Sequence, residues 1–217
     1  MSFINVVSIS DANEAQRRFY REQQGSLDYL PNYAEVYVQR PEVMDAWVKL
    51  QSSLRGPMGS RLYSLVSLTA ALAIRSSYCA LAHARKLIAR EFTQGELVAV
   101  LTDRPGAPVS AGERCAMALA RQVARDSSSL GAEDIARLRL QGFSEREVFD
   151  VVAAAAARCF FAKVPDALGV LPDDALADLE PDLLKLLCVG RRPSLMPEKH
   201  QNPATEKGEG KWLMYSS

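Results

Sequence analysis

The sequence has no excess of either charge and no long hydrophobic run. Its 26 Lys and Arg residues balance 26 Asp and Glu residues, whereas nucleic-acid-binding domains usually carry a basic excess. A membrane-spanning helix needs about 20 apolar residues, and the most apolar segment, VVAAAAARCFFAKV, is interrupted by Arg158 and Lys163. The start, MSFINVVSIS, lacks the basic region and cleavage site of a secretory signal. We therefore expect a cytoplasmic protein that binds neither nucleic acid nor membrane.

Cysteine and histidine, the residues of metal centres and disulfide frameworks, are scarce. The four cysteines are far apart, none belongs to a C-x-x-C pair, and there are only two histidines. This spacing fits neither a zinc site nor a small disulfide-stapled domain, and we expect no metal and no cofactor. The default interpretation of each cysteine is a small buried hydrophobic residue. The four are Cys79, Cys115, Cys159 and Cys188.

Every periodic segment of the sequence has helical spacing, and no pattern of paired strands is present. The predicted fold class is therefore all-α, with a single helical domain over residues 1–189 built from helical hairpins. Helices are predicted from Asp11 to a stop at Gly25 and over about 41–55 with a stop at Gly56. Residues 62–90 are predicted as a hairpin that breaks near residues 74–77, and one long kinked helix is the alternative for this segment. Further helices are predicted over 93–101, about 111–125, 131–142 and 144–170.

Helix ends are marked by two capping patterns and two glycines. Ser110 is followed by Glu113, and Ser144 by Glu147, as in a capping box. Gly142 and Gly169 are expected stops.

Residues 190–217 change in composition to Pro, Lys, Glu and Gly, which cannot build a core. We expect a C-terminal tail that is either disordered or docks on a neighbouring subunit through Trp212 and Leu213.

The stretch SSYCALAH places Cys79 and His83 four residues apart, with Ser76 three before the cysteine. On a helix that includes Ser76, these three side chains share one face. A nearby imidazole and a helix N-terminus both lower a thiol pKa and increase the thiolate fraction. The spacing alone is a weak signal, since two ordinary core residues would look the same. His83 is, however, the one histidine outside the tail.

The segment SLVSLTAALAIRSSYCALAHARKL, residues 64–87, resembles the core motif of the alkylhydroperoxidase D and carboxymuconolactone decarboxylase family. The segments 30–47 and 142–170 resemble its peroxidase-related branch, in matching order and spacing. The resemblance implies an all-helical domain that forms homo-oligomers, typically trimers or hexamers, with a dimer as a further possibility.

The resemblance carries over only part of the family's catalytic set. Cys79 matches the second cysteine of the family's C-x-x-C, taken as the thiol that meets the peroxide, and His83 matches the histidine. The first cysteine falls on Ser76 and the glutamate on Ser64. The motif is therefore degenerate, and a Ser76 hydroxyl cannot close the family's disulfide.

Three functions remain open from the sequence. The first is a single-cysteine thiol peroxidase with Cys79 as nucleophile, His83 as base and Ser76 as hydrogen-bond donor, which needs an external thiol reductant. The second is a non-redox lactone decarboxylase or isomerase that uses His83 as acid or base. The third is a catalytically silent oligomeric protein. The aromatic residues that we expect near the pocket or in the core are Tyr63, Tyr78, Phe160 and Phe161.

Overall fold

Helices account for all of the regular secondary structure in residues 2–25 and 27–195, the part of the chain that the computed structural model describes. Ten α-helices and two short 3-10 helices form there, and no β-strand, so the all-α prediction is confirmed. No helix in these ranges is long and apolar enough to cross a membrane. The α-helices are α1 (Glu14–Gln24), α2 (Ala34–Tyr37), α3 (Pro41–Met58), α4 (Ser60–Ala73), α5 (Ser77–Ile88), α6 (Gln94–Leu101), α7 (Ala111–Asp126), α8 (Ala132–Leu140), α9 (Glu145–Ala167) and α10 (Pro181–Leu187).

The predicted capping boxes start two of the longest helices. The Ser110 hydroxyl accepts the Glu113 N–H at 3.0 Å, while the Glu113 carboxylate accepts the Ser110 N–H at 2.8 Å. Ser144 and Glu147 make the same reciprocal pair at the start of α9. Such pairs satisfy amide groups that have no partner inside the helix. These caps confirm the starts predicted for α7 and α9.

Two predicted helix ends are wrong. Helix α1 begins after Asn13, whose side chain accepts the Gln16 N–H, and not at Asp11. Helix α3 continues through Gly56 and Pro57 and ends at Gly59, whose φ of 76° lies in the left-handed region. Position 59, rather than position 56, therefore needs the conformational freedom of glycine.

Helix α4 occupies the centre of the fold. Every residue from Tyr63 to Ala71 is buried, and the helix packs against α3, α5, α7 and α9. One side of α4 joins a core cluster with α3, α7 and α9, and the other side joins a second cluster with α5, α6 and α10. The small residues of this helix allow several neighbours to approach it closely.

Residues 190–195, predicted as the start of the tail, lie against the helical body. The Gly190 N–H donates to Ser77 Oγ at 2.7 Å, and the Leu195 N–H donates to Asp174 Oδ1 at 3.0 Å. Trp212 and Leu213 lie outside the described residues.

Candidate functional site

The site begins at the sharp turn between α4 and α5, where the sequence predicts a helix break. Arg75 adopts a φ of 63°, a left-handed conformation that is uncommon for a residue with a side chain. Ser76 follows in an extended conformation as the N-cap residue of α5, although its side chain makes no capping bond. Cys79 is the third residue of α5, which confirms its predicted place in the first helical turn. Ser76 precedes the helix, and the predicted three-residue stripe is therefore not a single helical face.

Cys79 and His83 line the same pocket, which has a volume of about 160 Å³ and lies between α3, α5 and α9. Its apolar side consists of four aromatic residues, Tyr33, Trp47, Tyr78 and Phe161, together with Met44, Val48 and Ala82. Its polar side consists of Gln23, Gln51, Cys79, His83, Lys86 and Arg158. The structure thus brings two of the three predicted site residues together in a cavity that is large enough for a small molecule.

Arg158, on α9, is the side chain that contacts the thiol. Its Nη1 lies 3.7 Å from Cys79 Sγ and donates to it, and its Nη2 donates to the Tyr63 hydroxyl at 3.2 Å. The guanidinium also lies over the rings of Trp47 and Phe161, at 5.1 Å and 5.4 Å from their centroids. These contacts hold the charge of Arg158 beside the sulfur atom.

The guanidinium of Arg158 is almost fully enclosed. The residue is 3% exposed, no Asp or Glu of the described chain forms an ion pair with it, and its Nε has no hydrogen-bond partner there. A buried charge is costly unless another charge or hydrogen bonds compensate it. The contacts with Tyr63, Trp47 and Phe161 provide part of this compensation.

The pKa of the Cys79 thiol results from two opposing effects. Burial raises it above its ordinary value, while the charge and hydrogen bond of Arg158 lower it in part. Asp166 adds a smaller upward effect and Ser76 a smaller downward one. The thiol form therefore dominates at neutral pH. His83, which was predicted to activate the thiol, makes no contribution to this pKa shift.

His83 is buried and neutral. Burial, together with repulsion by Arg158 and Lys86, holds its pKa well below the ordinary range. Its Nδ1 has no hydrogen-bond partner, and no hydrogen bond joins it to Cys79 within the described residues. His83 thus offers the thiol neither a positive charge nor a hydrogen bond. Its predicted role as the activating base stays a prediction.

Ser76 is fully buried but does not line the pocket. Its hydroxyl makes no well-formed hydrogen bond, yet it is placed to lower the pKa of both the Cys79 thiol and the Asp166 carboxyl. A serine at this position cannot form a disulfide with Cys79. All four cysteines are free.

No carboxylate belongs to the pocket lining in the described part of the chain. Ser64, the position at which the resemblance predicts a glutamate, is buried near the start of α4 and does not reach the lining. No cluster of three or more His, Cys, Asp or Glu side chains suited to a metal ion occurs among the described residues.

The expected aromatic residues have different positions. Tyr78 and Phe161 line the pocket. Tyr63 lies behind it, with its ring 6.0 Å from that of His83. Phe160 is 47% exposed and does not line the pocket, and its ring centroid lies 6.2 Å from that of Trp47.

A buried network fixes two of the pocket tyrosines. The Tyr78 hydroxyl donates to Asp173 at 2.7 Å and accepts the Tyr33 N–H at 3.2 Å, while Asp173 also accepts the Asn32 N–H at 2.7 Å. Burial, with the nearby Asp173, keeps the Tyr78 hydroxyl protonated by raising its pKa. This network ties the segment before α2 and the segment after α9 to α5.

Four residues of the pocket lining were not predicted as site residues: Arg158, Trp47, Tyr33 and Lys86. One signal for Arg158 was present, because it interrupts an alanine-rich apolar helix. A charge at such a place is either exposed or has a specific buried role, and spacing alone does not distinguish the two.

A sequence model of the carboxymuconolactone decarboxylase family matches residues 41–126, which include α3, α4, α5, α6 and α7. No match was found among curated protein sequences.

Several solved structures share the fold. A peroxidase-related protein from Ralstonia eutropha JMP134, described as an alkylhydroperoxidase AhpD core, has 21% identity and a TM-score of 0.68, and the alignment covers 81% of this chain and 94% of that one. A peroxidase-related protein from Silicibacter sp. TM1040 has 16% identity and a TM-score of 0.64, with 82% and 92% covered. The debrominase Bmp8 in complex with 2,3,4-tribromopyrrole has 17% identity and a TM-score of 0.64, with 86% and 98% covered.

Proposed function

Because the chain belongs to the carboxymuconolactone decarboxylase family, with the alkylhydroperoxidase D-like fold, we propose that it is a single-cysteine thiol peroxidase. Cys79 is the nucleophile, and Arg158 stabilises its thiolate. The substrate is hydrogen peroxide or an organic hydroperoxide, and an external thiol is the reductant.

The contact between Arg158 and Cys79 carries this proposal. The Nη1–Sγ distance of 3.7 Å places a permanent positive charge beside a thiol that lines a pocket. Thiolate, not thiol, is the form that attacks a peroxide. A guanidinium cannot lose its proton at physiological pH, and it therefore stabilises the thiolate wherever that form is populated.

The reaction balances with two external thiols. The Cys79 thiolate attacks one peroxide oxygen, an S–O bond forms, the O–O bond breaks, and the leaving alkoxide takes up a proton to give an alcohol or water. The resulting sulfenic acid reacts with one external thiol to give a mixed disulfide and water. A second external thiol releases Cys79 as a thiol and leaves as the external disulfide. Two electrons thus pass from two thiols to one peroxide.

The guanidinium has a second use in this scheme. Negative charge develops on the departing oxygen while the thiolate loses its own charge. Arg158 has more N–H groups than its two hydrogen bonds use. A donor held beside the reacting sulfur stabilises charge as it moves from sulfur to oxygen.

The non-redox alternative has less support from the pocket. A decarboxylase or isomerase of this kind would depend on His83 as acid or base. The pKa of His83 lies well below the ordinary range, and no side chain orients its Nδ1. An imidazole in this state is a poor proton acceptor near neutral pH. The predicted homo-oligomer and the cytoplasmic location stay predictions.

Stopped-flow consumption of hydrogen peroxide and cumene hydroperoxide, with dithiothreitol as reductant, tests the proposal. We expect Cys79→Ser to abolish turnover and Cys115→Ser, a matched change on α7 outside the pocket, to retain it. Mass spectrometry with a sulfenic-acid trap should label Cys79 after one peroxide addition. Equal activity of Cys79→Ser and the parent chain would show that the proposal is wrong.

A further inference from the structure

The charge of Arg158 has no counter-ion in the described chain while Cys79 is a thiol. The residue is 3% exposed and lines the pocket, yet no carboxylate lies in the lining. Its partners are a neutral hydroxyl, a neutral thiol and two aromatic rings. A buried guanidinium of this kind favours the arrival of an anion, and a carboxylate matches its planar set of N–H donors.

His83 adds a second unused polar group at the same place. It is 2% exposed and lines the pocket, and its Nδ1 has no hydrogen-bond partner. Buried polar atoms in native proteins normally have a partner. Two polar side chains therefore meet in one cavity, each more than nine-tenths buried and each with one nitrogen, Arg158 Nε and His83 Nδ1, that has no hydrogen-bond partner. Both are suited to a polar ligand group.

The walls and the size of the cavity restrict the rest of the ligand. Tyr33, Trp47, Tyr78 and Phe161 make one side aromatic, and flat ring surfaces favour an aromatic partner. The volume is about 160 Å³, and a cavity of about 150 Å³ in another protein is known to hold one benzene molecule. Lys86 lies at the exposed edge of the lining and adds a second positive charge.

We propose that this pocket binds a small aromatic acid, a single ring that carries a carboxylate, with the carboxylate on Arg158 and the ring against the aromatic wall. The carboxylate and the Cys79 thiolate then compete for one guanidinium, and a bound acid shields Cys79. This ligand class uses the pocket of the proposed function but requires no turnover.

Benzoate is the probe, and benzyl alcohol is its neutral control with the same ring. The chain has two tryptophans, Trp47 and Trp212, so that Trp212→Phe leaves Trp47 as the fluorescent reporter in the pocket wall. We expect benzoate to change Trp47 fluorescence with a dissociation constant at least about tenfold below that of benzyl alcohol, as a charge-assisted hydrogen bond provides. Equal affinities, or no binding of benzoate, would overturn the proposal.

Variants of Arg158 test whether its charge causes the preference for benzoate over benzyl alcohol. In the same background, Arg158→Gln should remove the preference for benzoate, and Arg158→Lys should retain part of it. Arg90→Gln, a matched loss of an exposed charge near the end of α5, should leave the preference unchanged. A preference that survives Arg158→Gln contradicts the assignment.

A second measurement uses the unaltered chain and does not depend on the folding of a variant. Benzoate should slow alkylation of Cys79 by iodoacetamide at concentrations about tenfold below those at which benzyl alcohol does. No protection by benzoate would overturn the proposal. Binding of benzoate to a chain that consumes no peroxide would refute the proposed peroxidase and leave this ligand class standing.

Discussion

Arg158, and not His83, is the residue that donates a hydrogen bond to the Cys79 thiol. His83 is four residues from Cys79 along the chain, yet it is neutral and makes no hydrogen bond with the thiol in the described structure. Arg158 is 79 residues away and donates to the sulfur. Because the guanidinium keeps its charge at every physiological pH, it offsets part of the burial cost that raises the thiol pKa.

The first prediction concerns the pH dependence of alkylation at Cys79. We expect the rate with iodoacetamide to rise with pH without a plateau near neutrality, because burial places the thiol pKa above its ordinary value. Arg158→Met removes the stabilising charge and should move the profile to higher pH, slowing alkylation at pH 8 by about three- to tenfold. Peptide mass spectrometry measures the rate at Cys79 separately from the other cysteines.

His83→Gln serves as the comparison in that experiment. It removes an uncharged group of similar size, so that the midpoint of the Cys79 profile should stay within a few tenths of a pH unit. A plateau at pH 7 in the parent, or a large shift in His83→Gln, would restore His83 as the group that tunes the thiol.

The turn between α4 and α5 depends on a contact with the segment after α10. Gly190 lies against the carbonyl of Arg75, and a Cβ at position 190 would clash with that oxygen. The Gly190 N–H donates to Ser77 Oγ, next to Ser76. The left-handed Arg75 therefore sits in a turn that the C-terminal segment helps to hold, and this turn sets where α5 begins.

Gly190→Ala should accordingly lower the free energy of unfolding by about 1–3 kcal/mol, as overpacking against backbone does. Gly56→Ala is the matched change, because Gly56 lies in the last turns of α3 with no atom within 4 Å of the added carbon. It should raise the free energy of unfolding by about 0.5–1 kcal/mol, since alanine is the better helix former. Urea denaturation of both variants provides the measurement, and a Gly190→Ala chain as stable as the parent would contradict the close contact.

Across the whole molecule, the pocket exists because α9, which is distant in sequence, packs around α4 together with α3 and α5, the sequence neighbours of α4. The alanines of α9 allow close packing, with Ala154 and Ala155 fully buried, and this brings Arg158 over α5. The same enclosure buries His83 in its neutral form. Burial in the core therefore makes protonation of His83 unfavourable in the folded protein.

Acid sensitivity of the fold follows from this burial. The unfolded chain protonates His83 below about pH 6.5, whereas the folded protein does not until the pH is well below that value. The unfolded state then binds more protons, so that the free energy of unfolding falls as the pH drops below 6.5, by up to about 1.4 kcal/mol per pH unit. His83→Gln should lose this contribution, as measured by urea denaturation between pH 7 and 5.

The test compares the free energy of unfolding of the parent with that of His83→Gln at each pH. This comparison is needed because Asp166 and Asp173 also have shifted pKa values and are present in both proteins. Parallel stability curves for the parent and His83→Gln would mean that His83 is protonated in the folded protein.

Local sequence by itself determined most of the longer helices and several of their ends, whereas the short helices α2 and α10 were not predicted. The capping pairs Ser110–Glu113 and Ser144–Glu147, the break before α5 and the place of Cys79 in its first turn all depend on neighbours within a few residues, and each was predicted. The ends at Asn13 and Gly59 were not, because Asp11 and Gly56 carry the same local signals as the residues that actually cap.

Only the tertiary structure decided the chemistry around the thiol. The pocket, the contact of Arg158 with Cys79 and the direction of both pKa shifts depend on which distant side chains are enclosed together. Burial raises a thiol pKa and lowers an imidazole pKa, and burial is a property of the packed helices rather than of a four-residue spacing.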